Sequence, residues 1–109
     1  MGIDYYTTTA YTNYATFNGS LSTNAFYMEV YKIGRLVNFV IKVGIENSND
    51  AAWKIKINKY PMLQTACHCF SAFKGTGTAI PCYSDGNGFI VIQAGTGKYN
   101  CVIQGSYTT

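Results

Sequence analysis

The sequence predicts an all-β domain, an antiparallel β-sandwich of jelly-roll-like form. Three observations carry this expectation. From Leu36 to Ile45, Val37, Phe39, Ile41, Val43 and Ile45 alternate with Asn38, Lys42 and Gly44, the period of a strand with one face in a core. Short apolar segments recur between turns rich in Gly, Asn, Asp and Pro, at the spacing of sandwiches and barrels. No segment carries a helical period, and no internal repeat is present.

Taken in order, Tyr5 to Asn24 is rich in Tyr, Thr, Asn and Ser, with Thr16 to Leu21 reading as a short strand or a turn. Residues 1–25 read as a lead-in or an edge strand, and 26–109 as the sandwich proper. Tyr27 to Lys32 is a strand, and Ile33-Gly34-Arg35 a tight connection in which Gly34 supplies permissive backbone. Leu36 to Ile45 is the strongest strand, and Val40 on its polar face implies that this face is partly covered too. Glu46 to Asp50 is a polar turn. Trp53, Ile55 and Ile57 then alternate with Lys54, Lys56 and Asn58, and Tyr60-Pro61 closes that strand, because proline cannot donate to a ladder. Thr65 to Phe73 reads as a strand and Lys74 to Thr78 as a hairpin loop. Ala79 to Tyr83 is a short segment interrupted by Pro81. Asp85-Gly86-Asn87-Gly88 is a strong turn signal. Phe89 to Ala94 and Tyr99 to Tyr107 are the last two strands.

The 109 residues suit one domain. Charged residues are 12% of the chain, against about 25% in ordinary globular proteins, and Tyr, Thr, Asn, Ser and Gly take their place. Such a surface suits partner subunits or uncharged polar ligands such as sugars. The net charge of +3 comes with no dense basic stripe, which argues against nucleic-acid binding. No apolar run reaches the length of a membrane span, so membrane insertion is not expected. Met1-Gly2-Ile3-Asp4 lacks the features of a signal peptide, and Tyr6 breaks the myristoylation motif. The chain reads as a piece of a longer protein.

Chemistry finds little to work with. Asp4, Glu29, Glu46, Asp50 and Asp85 are scattered, and His68 is the single histidine. The acids are isolated along the sequence and nothing in it favours a carboxylate pair, so no catalytic residue and no enzyme activity are expected. Cys67, Cys69, Cys82 and Cys101 admit three readings: core thiols, disulfides, or zinc ligands. Cys-x-Cys on a strand fits zinc poorly, and neither a metal nor another cofactor is expected. Alternation puts His68 opposite Cys67 and Cys69, either as a hydrogen-bonded or surface histidine or as a ligand on a trimer axis.

Ten tyrosines are many for this length. Tyrosine buries a large area while keeping a hydroxyl for solvent or ligand. Tyr83, Asp85, Asn87 and Tyr99 lie in or beside loops that gather at one end of a sandwich in this reading. Aromatic rings beside carboxylate and amide groups suit sugars, so these four are the candidate ligand-binding residues. The plainer alternative is that Asp85 to Gly88 is only a hairpin turn.

The order of features from Tyr31 onward resembles a known family. Tyr31-Lys32-Ile33-Gly34-Arg35-Leu36-Val37 is similar to the opening of C-terminal domains of phage tail-fibre and baseplate receptor-binding proteins. A long alternating strand, a proline corner at Tyr60-Pro61 and a Gly/Thr hairpin follow in like order. Ser84-Asp85-Gly86-Asn87-Gly88 then precedes a strand, and the chain closes on Gly105-Ser106-Tyr107. The likeness spans about residues 26–109. It implies a homotrimeric domain at a virion tail tip, assembled in the bacterial cytoplasm and binding a host surface saccharide or protein. The cysteines and the N-terminal Tyr/Thr stretch depart from the pattern. Two other readings stay open: a structural fibre or baseplate spacer, and a carbohydrate-binding module of a bacterial enzyme or adhesin.

Overall fold

A computed structural model describes residues 3–8, 15–18, 20–47, 52–63, 68–93 and 95–109. Among them are nine strands and no helix: β1 (Ile3–Thr8), β2 (Ala15–Asn18), β3 (Ser20–Ile33), β4 (Leu36–Asn47), β5 (Trp53–Ile57), β6 (Ser71–Lys74), β7 (Cys82–Ser84), β8 (Ile90–Ile92) and β9 (Gly97–Thr108). They form a five-stranded sheet, β1-β3-β4-β9-β6, and a four-stranded sheet, β2-β5-β8-β7. The pairs they make are antiparallel. From β4 to β7 the chain alternates between sheets, and β8 and β9 return beside β5 and β4. The result is an antiparallel β-sandwich whose chain crosses repeatedly between the two sheets.

The alternation legible in the sequence becomes the core. Val37, Phe39, Ile41, Val43 and Ile45 of β4 face inward with Met28 and Val30 of β3 and with Cys101, Ile103 and Tyr107 of β9. Trp53, Ile55 and Ile57 of β5 and Ile90 and Ile92 of β8 close the core from the other sheet. Trp53 is fully buried. At roughly 1.5–3 kcal/mol for each large apolar side chain fully buried, these inward faces supply the main stabilisation.

The turn between β3 and β4 is a two-residue hairpin, Ile33 pairing Leu36 across Gly34 and Arg35. Gly34 has φ 60° and Arg35 does not share the positive sign, which is the pattern of a type II′ turn. The chain ahead of Phe26 also joins the sheets. β1 pairs with β3, β2 with β5, and β3 itself starts at Ser20. Of the segment Thr65 to Phe73, the structure forms an isolated bridge at Cys69 and the strand Ser71–Lys74, while residues 64–67 lie outside the described residues.

The proline corner ties the chain end to the sandwich. Tyr107 donates its hydroxyl to the Tyr60 carbonyl at 2.5 Å, and the Thr109 hydroxyl donates to the Pro61 carbonyl at 2.6 Å. Leu63 N–H bonds the Thr108 carbonyl at 2.9 Å. Asp4 accepts a hydrogen bond from the Tyr60 hydroxyl and lies 3.4 Å from Lys59 Nζ, which anchors β1 to the same corner.

Candidate functional site

The four candidate ligand-binding residues divide between the two ends of the molecule. Tyr83 lies on β7, and Asp85 and Asn87 in the hairpin that follows it. A side chain on Gly88 in this hairpin would meet the Met62 carbonyl, next to Leu63 and its bond to Thr108. The hairpin therefore sits at the Thr108 end of β9. Tyr99 is at the other end, paired with Ile45, and donates its hydroxyl to the Thr96 carbonyl at 2.5 Å. Its ring carries Lys74 Nζ at 3.9 Å from the centroid. Eight steps of extended strand separate Tyr99 from Tyr107, on the order of 27 Å at about 3.4 Å per step. The loops thus do not gather all four residues at one end.

Asp85 is occupied in shaping its own turn. Its Oδ1 accepts the backbone N–H of Asn87 at 2.7 Å and of Phe89 at 3.1 Å, and its Oδ2 lies 3.3 Å from Lys54 Nζ. Burial works against the charge, but these N–H groups and the ammonium outweigh it and hold the carboxyl below 3.8. Tyr83 accepts a hydrogen bond from Gln93 Nε2 at 2.7 Å.

Cys82 and Cys101 are buried free thiols. Burial pushes Cys82 up to about 12, with Cys101 and Cys69 adding to the effect, and burial raises Cys101 against the pull of Lys74. Cys69 departs from the core-thiol expectation, because it is exposed. The reason is register: Cys69 bridges Tyr83, the outward neighbour of inward-facing Cys82. Cys67 lies outside the described residues. His68 and Phe70 take the opposite, inner side. The His68 ring stacks on Phe70 at 6.0 Å and meets Tyr107 edge-on at 6.5 Å. Its Nε2 is buried without a hydrogen-bond partner among the described residues, while its backbone N–H donates to Ser84 Oγ at 2.9 Å. No group of three His, Cys, Asp or Glu side chains gathers among the described residues.

A different surface stands out, one that the sequence reading passed over. The outward side chains of the five-stranded sheet fall into cross-strand rows. Tyr5, Tyr31, Asn38 and Ser106 form one row. Thr7, Glu29, Val40, Gln104 and Ser71 form the next, and Tyr27, Lys42, Val102 and Phe73 the one after. Side chains opposed in this way sit within contact reach of one another. Tyr5, Tyr31, Ile33, Leu36, Phe73 and Val102 are exposed on this face, and Leu63 is the remaining large apolar side chain exposed among the described residues. Burial is the leading influence that raises the Tyr27 hydroxyl above its usual range, with Glu29, to which it donates at 3.3 Å, adding to it.

Two depressions indent the face. One, about 410 Å³, forms where Gly44 lacks a side chain, between Tyr27, Lys42, Asn100, Val102 and Gly75. The other, about 280 Å³, lies between the first two rows, bounded by Tyr31, Asn38, Val40, Ser71, Gln104 and Ser106. The signal for this face was present as the alternate residues of β3, β4 and β9, but only their pairing assembles it. Comparisons with protein-family models, with curated proteins and with solved structures give no match for this chain.

Proposed function

We propose that the domain is a non-catalytic attachment module, of the kind found at the tip of a phage or prophage tail fibre. In this reading it recognises a host-cell surface saccharide or protein through the outer face of its five-stranded sheet. The observation that carries the proposal is the concentration of exposed large side chains on that one face. Contiguous apolar and aromatic surface on a small domain marks a place where something binds. Tyrosine suits the task, since it brings contact area and a hydroxyl together.

Three copies in a homotrimer would turn weak single sites into firm attachment, because sites held together bind with an effective concentration set by their spacing. The same surface supports a second reading, in which neighbouring subunits cover the face and the domain is a fibre spacer. Binding of the labelled protein to bacterial cells, with light scattering for its oligomeric state, separates the two. Attachment predicts saturable cell binding that Tyr31→Ser weakens. A spacer predicts an assembled oligomer that binds no cell.

A further inference from the structure

The 280 Å³ depression on the five-stranded sheet has the make-up of a small-ligand site. Its volume falls just below the range for drug-sized ligand pockets, roughly 300–1,000 Å³, which suits a single small ring. Tyr31 forms one wall, exposed, with the Tyr5 ring 6.5 Å away and tilted by 43°. Val40 and the backbone of Phe39 and Gly105 form the floor. Around them stand two amides and two hydroxyls: Asn38, Gln104, Ser71 and Ser106.

The polar groups are set for a ligand that both donates and accepts. Ser106 Oγ donates to Asn38 Oδ1 at 2.6 Å, which leaves the Asn38 NH₂ as the donor end of that amide. Gln104, one row along on the same strand as Ser106, offers a carbonyl and an NH₂, and Ser71 beside it offers a hydroxyl. Gln104, Ser71 and Ser106 are exposed, so a ligand reaches them without any rearrangement of the sheet.

The charge pattern narrows the ligand. Among the described residues, no charged side chain lines the depression. The charges nearest on the face are Glu29, cross-strand from Val40, and Lys42, two positions along β4 from Val40 with its ammonium over the Tyr27 ring. A ligand carboxylate would find no cation in the depression and an acid beside it, whereas a neutral ring with hydroxyls on its rim and C–H groups on its face would find amides, hydroxyls and a tyrosine wall. We propose that this depression binds an uncharged pyranose unit of a surface glycan, with Tyr31 stacking on the apolar sugar face and Asn38 and Gln104 reading its hydroxyls. The proposal rests on the attachment reading above and gives it a site and a ligand class.

Methyl glycosides of neutral hexoses and of N-acetylhexosamines, titrated against the full chain while its amide NMR signals are followed, test the site. Methyl glycosides of glucuronic and neuraminic acids serve as the carboxylated arm. The expected result is saturable shifts at Tyr31, Asn38, Gln104 and Ser106 with a neutral glycoside and none with the carboxylated sugars. Asn38→Ala and Gln104→Ala should each weaken binding about tenfold, the equivalent of one lost hydrogen bond. The spectrum of each variant reports whether it folds, and Gln104→Glu, which keeps the side-chain size, should lose binding as well. Shifts confined to the Asp85–Gly88 hairpin, or carboxylated sugars bound as tightly as neutral ones, would overturn the proposal. Cells bound but no glycoside bound would overturn the sugar site and leave attachment standing. Binding to neither would remove both.

Discussion

The ring of Phe70 fills the space that a side chain at Gly105 would need: a Cβ built there would collide with the ring. Phe70 is in turn held edge-on against Phe39 at 5.3 Å. Gly105 is opposite Phe39 on the neighbouring strand, so a glycine in the middle of β9 makes room for an aromatic that covers the end of the core.

Gly105→Ala should therefore destabilise the protein by about 1–3 kcal/mol, the range for overpacking. At an unobstructed strand position the same change would stabilise by roughly 0.5–1 kcal/mol. The sign of the change in urea midpoint decides between them. Phe70→Leu should lessen the penalty of Gly105→Ala, and a double-mutant cycle measures that coupling.

This glycine also shows where sequence reading stops. The alternation of β4 and β5 and the turns at Gly34 and Asp85 were legible, because each depends on residues a few positions apart. The space beside Gly105 depends on Phe70, thirty-five positions away, and no local pattern reports it. The same holds for the candidate site. Tyr83, Asp85, Asn87 and Tyr99 look alike as loop polar and aromatic residues, yet pairing sends Tyr99 to the far end of β9. The outer row of Tyr5, Tyr31, Asn38 and Ser106 was hidden for the converse reason: its members come from four strands and meet only through register.

The corner at Tyr60 should set stability limits at both ends of the pH scale. The Tyr60 hydroxyl hydrogen-bonded to Asp4 is the main influence holding that carboxyl below 3.8; burial opposes it, and Lys59 and Lys32 add to the lowering. A folded pKa below the unfolded one gives stability that is present above the unfolded value and lost as pH falls through the folded one. Tyr60 moves the other way, pushed up to about 12 by burial and by Asp4. Its contribution is full below 10.0 and fades as pH climbs toward about 12. Denaturation midpoints followed across both ranges should show two falling limbs. In Asp4→Asn the acid limb should become shallower, and an unchanged acid limb would count against this pairing.

The cysteines should separate cleanly by reactivity. Thiolate is the reacting form, and burial keeps Cys82 and Cys101 as thiols. Cys69 is exposed. Brief alkylation of the native protein, mapped by mass spectrometry, should label Cys69 and spare Cys82 and Cys101 until denaturant is added. Cys82→Ser should cost about 1–3 kcal/mol, the range for a hydroxyl buried without a good partner. Labelling of Cys82 as fast as Cys69 would show that β7 opens readily from the sandwich edge.

Asp85 tests whether the hairpin after β7 is a turn or a binding site. Its Oδ1 holds two backbone N–H groups, and its side chain is only 11% exposed. Asp85→Ala leaves those N–H groups without their acceptor and should cost about 1–3 kcal/mol. Asp85→Asn keeps a carbonyl oxygen in the same place and loses mainly the ion pair with half-exposed Lys54, worth at most about 1 kcal/mol. The carboxyl is held low when folded, so its charge stabilises above 3.8 and that gain disappears as pH falls through the folded value. The Asn variant should therefore lose less stability than the wild type on acidification, while the Ala variant starts lower at every pH. Glycan and cell binding should survive in Asp85→Asn, because the sheet face that carries Tyr31 and Gln104 does not touch this turn. Loss of binding in a folded Asp85→Asn protein would move the site to the hairpin and away from the face of the five-stranded sheet.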